Sequence, residues 1–148
     1  MSDNTFKSTG SADDMRSAVT FRSEGGVYAF GIETLTEILP MREVTKIPRL
    51  PPHILGVINL RGEVIPVIDL RRRLGFEEGE VTGRETFMII SVGGTTAAVK
   101  TDGVETSVSY TRDNYMPFDE KSIAAGIIID GSERITLIDA ERLIGFKA

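Results

Sequence analysis

One stretch of sequence occurs twice in this chain in similar form, and this repeat constrains the fold more than any other feature. Residues 65–76 read IPVIDLRRRLGF and residues 135–146 read ITLIDAERLIGF, an offset of seventy positions. Six of the twelve aligned positions are identical, whereas composition alone would give about one match. We interpret the match as a duplicated unit of about seventy residues; the alternative is convergent use of one strand-and-helix pattern.

Each copy predicts a strand that ends in a short helix. The apolar run stops at Asp69 in the first copy and at Asp139 in the second. An aspartate at this place can accept hydrogen bonds from the free N–H groups of the first helical turn. The two aspartates also resemble a pair of catalytic carboxylates, but their symmetric position before short helices favours a capping role.

Short apolar segments separated by turn signals continue along the chain. Two-residue turn signals stand at Gly25-Gly26, Arg61-Gly62, Gly93-Gly94 and Asp130-Gly131. The apolar segments predict about ten strands, at 19–22, 27–30, 32–39, 54–60, 64–70, 86–92, 95–100, 104–110, 127–129 and 134–138. For 32–39 the alternative is a short helix. Strands at this spacing are typical of an all-β barrel or sandwich. With the duplication, they predict two small barrels in tandem, each with a short closing helix.

Polar segments set the expected boundaries. Residues 1–16 are polar and lack the apolar core of a secretion signal, so we predict a disordered tail. The polar, glycine-bearing segment 77–84 divides a first barrel, 17–84, from a second barrel, 85–148. Residues 111–122 are predicted to form an exposed loop.

The composition excludes several classes of function. A net charge of −5 argues against a general nucleic-acid binder, which needs a basic surface. The chain has no cysteine, which removes disulfides, thiol catalysis and zinc–thiolate sites. No run of eighteen apolar residues occurs, so no membrane-spanning helix is predicted and we expect a cytoplasmic protein.

The search for catalytic or cofactor chemistry finds nothing to support an enzyme. His53 is the only histidine and lies between a proline and an isoleucine, a setting that favours a loop side chain over a general base. The three arginines at 71–73 point in different directions on one helical turn and are predicted to form a solvated face. No phosphate-binding loop, zinc pattern or calcium loop is present. We therefore predict no catalytic residue, no metal and no cofactor.

The turn at residues 59–62 is the exception, because it places charge between apolar strands. Arg61 must either point outward or find a partner, since an unpaired buried charge is costly. Glu37, in the apolar segment 35–39, is a candidate partner. The alternative is that these are two unrelated surface charges.

The same turn carries a family resemblance. The segment GVINLRGEVIPVIDL at 56–70 resembles the signature of the CheW-type chemotaxis coupling proteins, and EIL at 37–39 and VTKIP at 44–48 are similar to its lead-in. DGV at 102–104, GIIIDG at 126–131 and the segment 135–144 are similar to the second half of that family. The resemblance implies two five-stranded SH3-like barrels. It also implies a non-enzymatic adaptor that joins chemoreceptor tips to the regulatory domain of the histidine kinase CheA, at the inner face of the membrane.

The resemblance also implies site residues. It matches Glu37 and Arg61 to a charged pair at the core of the first barrel. It places a receptor-binding groove at six positions: Leu35, Ile38, Gly56, Phe87, Val104 and Ser107. Two other functions stay open at this point, a coupling protein of another chemosensory array (surface motility or pili) and an SH3-like peptide-binding module.

Overall fold

The structure, a computed structural model of the chain, describes residues 14–76, 83–120 and 122–145. Within these ranges the chain forms strands, a 3-10 helix at Ile32–Thr34 and two short α-helices, α1 (Leu70–Arg73) and α2 (Ala140–Ile144). The strands are β1 (Arg16–Ser23), β2 (Gly26–Gly31), β3 (Leu35–Pro40), β4 (Ile54–Leu60), β5 (Glu63–Asp69), β6 (Thr86–Val92), β7 (Thr95–Thr101), β8 (Gly103–Tyr110), β9 (Tyr115–Pro117), β10 (Ala124–Asp130) and β11 (Glu133–Ile138).

These strands form two sheets, and the predicted all-β class with two SH3-like barrels is confirmed. The first sheet has five strands in the order β3-β6-β7-β5-β4, and α1 follows its strand β5. The second has six strands in the order β8-β1-β2-β11-β10-β9, and α2 follows β11. The sixth strand, β9, lies in the segment predicted as an exposed loop. It pairs with β10 because Tyr115 turns inward and is buried.

The sheets do not divide the chain in the middle. The first sheet consists of β3 to β7, and the second consists of β1, β2 and β8 to β11. The hairpin β1–β2 therefore lies in the sheet formed by the C-terminal strands, and the hairpin β6–β7 lies in the sheet formed by β3, β4 and β5. This arrangement differs from the predicted domains 17–84 and 85–148, because the first hairpin of each repeat belongs to the sheet of the other repeat. Residue 16, assigned to the tail, belongs to β1; residues 1–13 lie outside the described ranges.

The duplication is visible in the strand pairing. In one sheet β5 runs parallel to β7, with Val67 opposite Ala98. In the other, β11 runs parallel to β2, with Leu137 opposite Ala29. The order β3-β6-β7-β5-β4 thus corresponds strand by strand to β8-β1-β2-β11-β10. Phe146, the last position of the sequence match, lies outside the described residues.

Local turn and strand starts differ from the prediction in three places. The first hairpin turns at Glu24-Gly25, because Gly26 still pairs with Ser23. The last hairpin turns at Gly131-Ser132, because Asp130 pairs with Glu133. Residues 32–34 form a 3-10 turn, so β3 begins only at Leu35.

The core has three parts. One apolar cluster fills the five-stranded barrel and includes Ile58, Ile65 and Phe87. A second fills the six-stranded barrel and includes Tyr110 and Ile128. The third, which we call the central cluster, takes side chains from both sheets and both helices: Phe21, Phe30, Ile54, Ile68, Leu70, Met88, Ile90, Ala97, Val99, Ile123, Ile138, Ala140, Leu143 and Ile144. The two barrels are thus packed on a shared apolar interior.

Candidate functional site

The β4–β5 turn brings Arg61 and Glu37 together. Arg61 adopts a positive φ of 51° and Gly62 one of 86°, the backbone that a two-residue hairpin with right-handed twist requires. The side chain of Asn59 accepts a hydrogen bond from the N–H of Gly62 at 3.0 Å, which holds the turn. Arg61 then donates two hydrogen bonds to the Glu37 carboxylate, at 2.5 and 2.7 Å. This bidentate contact fixes the guanidinium in one orientation.

The pair lies at the surface of the first barrel. The Arg61 side chain is 67% exposed and that of Glu37 is 27% exposed. The resemblance implied a pair at the core of the first barrel, and this exposure shows that the pair is not there. The hydrogen bonds from Arg61 lower the pKa of Glu37, aided by the charges of Arg61 and Arg42 against a smaller effect of burial. The same hydrogen bonds raise the pKa of Arg61. The pair therefore stays ionised at neutral pH.

This pair is part of the closure of the five-stranded barrel. Glu37 belongs to the edge strand β3, whereas Arg61 follows the opposite edge strand β4. Beyond β3 the chain crosses β4: Arg42 donates to the carbonyl of Asn59 at 3.1 Å. Thr45 then exchanges two backbone hydrogen bonds with Val57, both 2.9 Å. The contacts together join the two edges of the sheet.

The crossing segment covers Gly56, which the resemblance placed in the groove. Gly56 is buried and has φ +155°. A Cβ built there would lie 2.8 Å from Val44 Cγ1 and nearer still to the carbonyl oxygen of Thr45. The glycine is therefore needed for the close approach of the chain's own segment 44–45, and the structure does not place it on an open groove.

Phe87 is also outside the groove. It is fully buried and packs with Ile58, Ile65 and Val67 inside the five-stranded barrel. Its neighbours in β6, Met88 and Ile90, point to the central cluster instead. Both faces of β6 are apolar, so the sequence could not show which face Phe87 takes.

The other four predicted groove residues lie on the two edge strands β3 and β8. Leu35 and Val104 are partly buried and pack on the central cluster, one from each sheet. Leu35 and Val104 thus both contact the central cluster, one from each sheet, and we call these two positions the apolar seam. Ile38 and Ser107 are exposed on the same two strands.

The two predicted cap residues occupy equivalent places. Asp69 accepts a hydrogen bond from the N–H of Arg71 at 3.1 Å, and Asp139 accepts one from the N–H of Arg142 at 3.2 Å. The Asp69 side chain is 3% exposed and that of Asp139 is 34% exposed. The two caps therefore differ mainly in burial.

A charged cluster across the barrel boundary was missed by the sequence analysis. Arg71 donates a 2.7 Å hydrogen bond to Asp102, in the connection between β7 and β8. Its Nε lies 3.0 Å from Glu24, in the β1–β2 turn. Burial lowers the pKa of Arg71, but the hydrogen bond and charge of Asp102 outweigh it, so the pKa is raised. The prediction that residues 71–73 form a solvated face is therefore wrong for Arg71, whose side chain is only 13% exposed. No spacing pattern in the sequence links Arg71 to Glu24 and Asp102.

The connection 41–53 forms a second feature that was missed, a cavity of about 430 Å³. It is lined by the apolar side chains Met41, Val44, Ile47, Leu50 and Leu55 and by four cations, Lys46, Arg49, Arg72 and Lys100. The single histidine of the chain, His53, is the last residue of this connection. Its backbone carbonyl accepts a hydrogen bond from the N–H of Asp69 at 2.8 Å. Burial lowers the pKa of the His53 side chain, and the charge of Arg73 lowers it further.

Within the described ranges, no three histidine, aspartate or glutamate side chains come together as metal ligands would. No helix in the same ranges has the length and apolar character to span a membrane.

Comparison with known proteins identifies the family. A family model described as CheW-like domain matches residues 17–147. The chain is 31% identical over 134 residues to a probable chemotaxis protein CheW of Rhizobium etli, covering 86% of each chain. It is 41% identical over 73 residues to the chemotaxis protein CheW of Bacillus subtilis, covering 49% of this chain and 47% of that protein. The crystal structure of the scaffolding protein TtCheW from Thermoanaerobacter tengcongensis superposes with a TM-score of 0.78 at 27% identity, covering 84% of this chain and 88% of that one. The two-barrel fold and the family match lead to one conclusion: this chain belongs to the CheW-like domain family.

Proposed function

We propose that this chain is a non-enzymatic adaptor that couples the cytoplasmic tips of chemoreceptors to the regulatory domain of the histidine kinase CheA. The observation that carries the proposal is the match of residues 17–147 to the CheW-like domain family. The likeness to a solved protein described as scaffolding supports it. In this role the chain acts in the cytoplasm at receptor arrays on the inner face of the membrane, without a cofactor.

The seam between the barrels supports a receptor-binding role. A chemoreceptor tip is an antiparallel helical hairpin, and a helix docks by inserting apolar side chains at helical spacing. Leu35 and Val104 present partly buried apolar surface from two different sheets, and Ile38 adds an exposed apolar side chain on β3. The proposed receptor site therefore consists of Leu35, Ile38, Val104 and Ser107, without the buried Gly56 and Phe87.

The test is a pull-down with two baits, a chemoreceptor cytoplasmic fragment and the CheA regulatory domain. We expect the parent chain to bind both. Val104→Lys places a charge on the apolar seam and should lose the receptor fragment while keeping the kinase domain. Val64→Lys, at a β5 side chain that is 63% exposed and outside the seam, is the matched control and should keep both.

Two results would contradict the proposal in different ways. If Val104→Lys binds the receptor fragment as the parent does, the seam is not the receptor site. If the folded parent binds neither bait, the coupling function itself is wrong.

A further inference from the structure

Val104, the seam residue on β8, lies between two charged side chains that are bonded to other elements. Two residues before it, Asp102 accepts a hydrogen bond from Arg71 of α1 at 2.7 Å. One residue after it, Glu105 accepts a hydrogen bond from Arg22 of β1 at 2.8 Å. The first contact comes from the helix that follows the five-stranded sheet, whereas the second lies within the six-stranded sheet. The first contact can therefore fix Val104 relative to the other barrel, which the second cannot do.

The two contacts also differ in burial. The Arg71 and Asp102 side chains are 13% and 15% exposed, and Glu24, the second partner of Arg71, is 25% exposed. The side chains of Arg22 and Glu105 are about two-fifths exposed. Exposed ion pairs contribute little because water and salt screen them, whereas breaking a pair that is shielded from water leaves a poorly solvated charge behind. The contacts of Arg71 therefore hold this end of β8 more firmly than the Arg22 pair does.

Asp102 joins the two barrels. Its carboxylate accepts the hydrogen bond from Arg71 and another, of 3.1 Å, from the N–H of Glu24 in the β1–β2 turn. Its own N–H donates to the carbonyl of Arg22 at 2.9 Å. The backbone of Asp102 is thus fixed to the six-stranded sheet, and its carboxylate is fixed to the helix that follows the five-stranded sheet.

The pairing of β8 with β1 is interrupted just beyond Val104. Val104 lies opposite Phe21, but the register shifts before the next pair, in which Ser107 lies opposite Val19. The start of β8 is therefore not aligned by the ladder of the rest of the strand. Packing of Val104 on the central cluster is apolar and has no preferred direction. The hydrogen bonds of Asp102 supply that direction.

The duplication does not repeat this contact. At an offset of seventy, Arg71 of α1 corresponds to Glu141 of α2. Glu141 is exposed and makes no ion pair in the part of the chain that the structure describes. The link that α1 makes is thus particular to β8, the strand that carries Val104.

We propose that Arg71 is a positioning residue of the receptor site: through Asp102 it fixes Val104 in the place where the receptor helix contacts it. Arg71 offers little surface to a partner, because its side chain is only 13% exposed, and it acts through Asp102 instead. This inference rests on the proposed coupling function and adds to the receptor site a residue whose role is indirect. A site whose competent arrangement is populated for a fraction of the time has its affinity reduced by that fraction.

Binding of the chemoreceptor fragment by Arg71→Met is the first test. Methionine retains an unbranched apolar side chain but lacks the charge and the donors of arginine. If Val104 then keeps its place for about one-tenth of the time, the dissociation constant for the receptor fragment rises about tenfold, whereas binding of the CheA regulatory domain should not change. Arg72→Met makes the same change at the next residue of α1, whose Nε lies 3.8 Å from the cap residue Asp69. This control should bind both baits as the parent does.

A double-mutant cycle tests whether Arg71 acts through Asp102. Asp102→Asn keeps the size of the side chain and removes its charge, so it should weaken receptor binding in the same direction as Arg71→Met. The double variant should bind about as weakly as the weaker single variant, since the two residues share one contact. Effects that multiply would show that the two residues act independently and would overturn the inference.

The methyl NMR resonances of Val104 give a readout that a general loss of stability would not move. They should shift or broaden in folded Arg71→Met, whereas those of Ile65, inside the five-stranded barrel, should stay as in the parent. Val104 resonances that match those of the parent would overturn the inference.

Circular dichroism first establishes that each variant is folded, and Asp102→Asn takes the place of Arg71→Met if the latter is not. Folded Arg71→Met that binds the receptor fragment as the parent does would overturn the inference and leave the coupling function intact. A parent chain that binds no receptor fragment would overturn the coupling function, and the inference with it. Binding by the parent therefore distinguishes the two failures.

Discussion

Substituting Gly56 by alanine tests the closure of the first barrel. The new Cβ would meet the carbonyl of Thr45 and lie 2.8 Å from Val44 Cγ1. It would also occupy a backbone with φ +155°, which L side chains rarely adopt. Because the nearest obstructing atom is the backbone carbonyl oxygen of Thr45, the segment 44–45 must move away, and its two hydrogen bonds with Val57 would be lost.

The expected cost is the sum of these effects. Backbone strain at a positive φ costs about 1–2 kcal/mol, and the two lost hydrogen bonds cost about 1 kcal/mol each. The free energy of unfolding should therefore fall by about 3–4 kcal/mol. With an m value of about 1.5 kcal/mol/M, the midpoint of urea unfolding would fall by about 2 M or slightly more.

Gly94→Ala is the matched control for this variant. Gly94 also has a positive φ, of 84°, but a Cβ there meets nothing within 4 Å. It should therefore show the backbone strain alone, about 1–2 kcal/mol. If Gly56→Ala is no more destabilising than Gly94→Ala, the close approach of the segment 44–45 does not contribute to stability and the argument for barrel closure fails.

Two further predictions concern the caps and the surface ion pair. Asp69→Ala and Asp139→Ala each remove a helix cap, at a cost of about 0.5–2 kcal/mol; urea unfolding should show the larger loss for the buried Asp69, and equal losses would contradict the role of burial. For Glu37, the lowered pKa in the folded chain means that its contribution to stability is present above the ordinary glutamate pKa of about 4.3 and is lost as the pH falls through the folded value. The difference in unfolding midpoint between the parent and Glu37→Gln should therefore disappear in acid, and a difference that does not depend on pH would show that the Glu37 charge is not responsible.

The architecture could be predicted because the signals for it are local. Residues 65–76 and 135–146 carry their strand, cap and helix in their own sequence, and both copies fold in the same way. The turns at Arg61-Gly62 and Gly93-Gly94 were predicted because each contains glycine, which tolerates positive φ. The other two turns were misplaced by one residue, because neighbouring glycines and aspartates give overlapping signals.

The groove could be predicted only in part, because two of its residues depend on non-local packing. Phe87 and Met88 are both apolar and adjacent, so the strand period shows that they face opposite sides but not which side is the barrel interior. Gly56 indicates a close approach of some backbone. The sequence does not show whether that backbone belongs to a partner or, as the structure has it, to residues 44–45 of the same chain.

The exchange of hairpins between the two repeats explains the central cluster and the contacts of Arg71, which a division of the chain into two separate barrels does not predict. Since β1–β2 completes the sheet of the second repeat and β6–β7 that of the first, neither half of the chain contains a whole barrel. Side chains from both repeats must therefore meet between the sheets, which accounts for the central cluster. The same crossing brings Glu24 of one hairpin and Asp102 of a connection to Arg71. A cut at the predicted boundary near residue 84 would separate β3 from its partner β6 and β1 from its partner β8, so the two repeats form one folding unit.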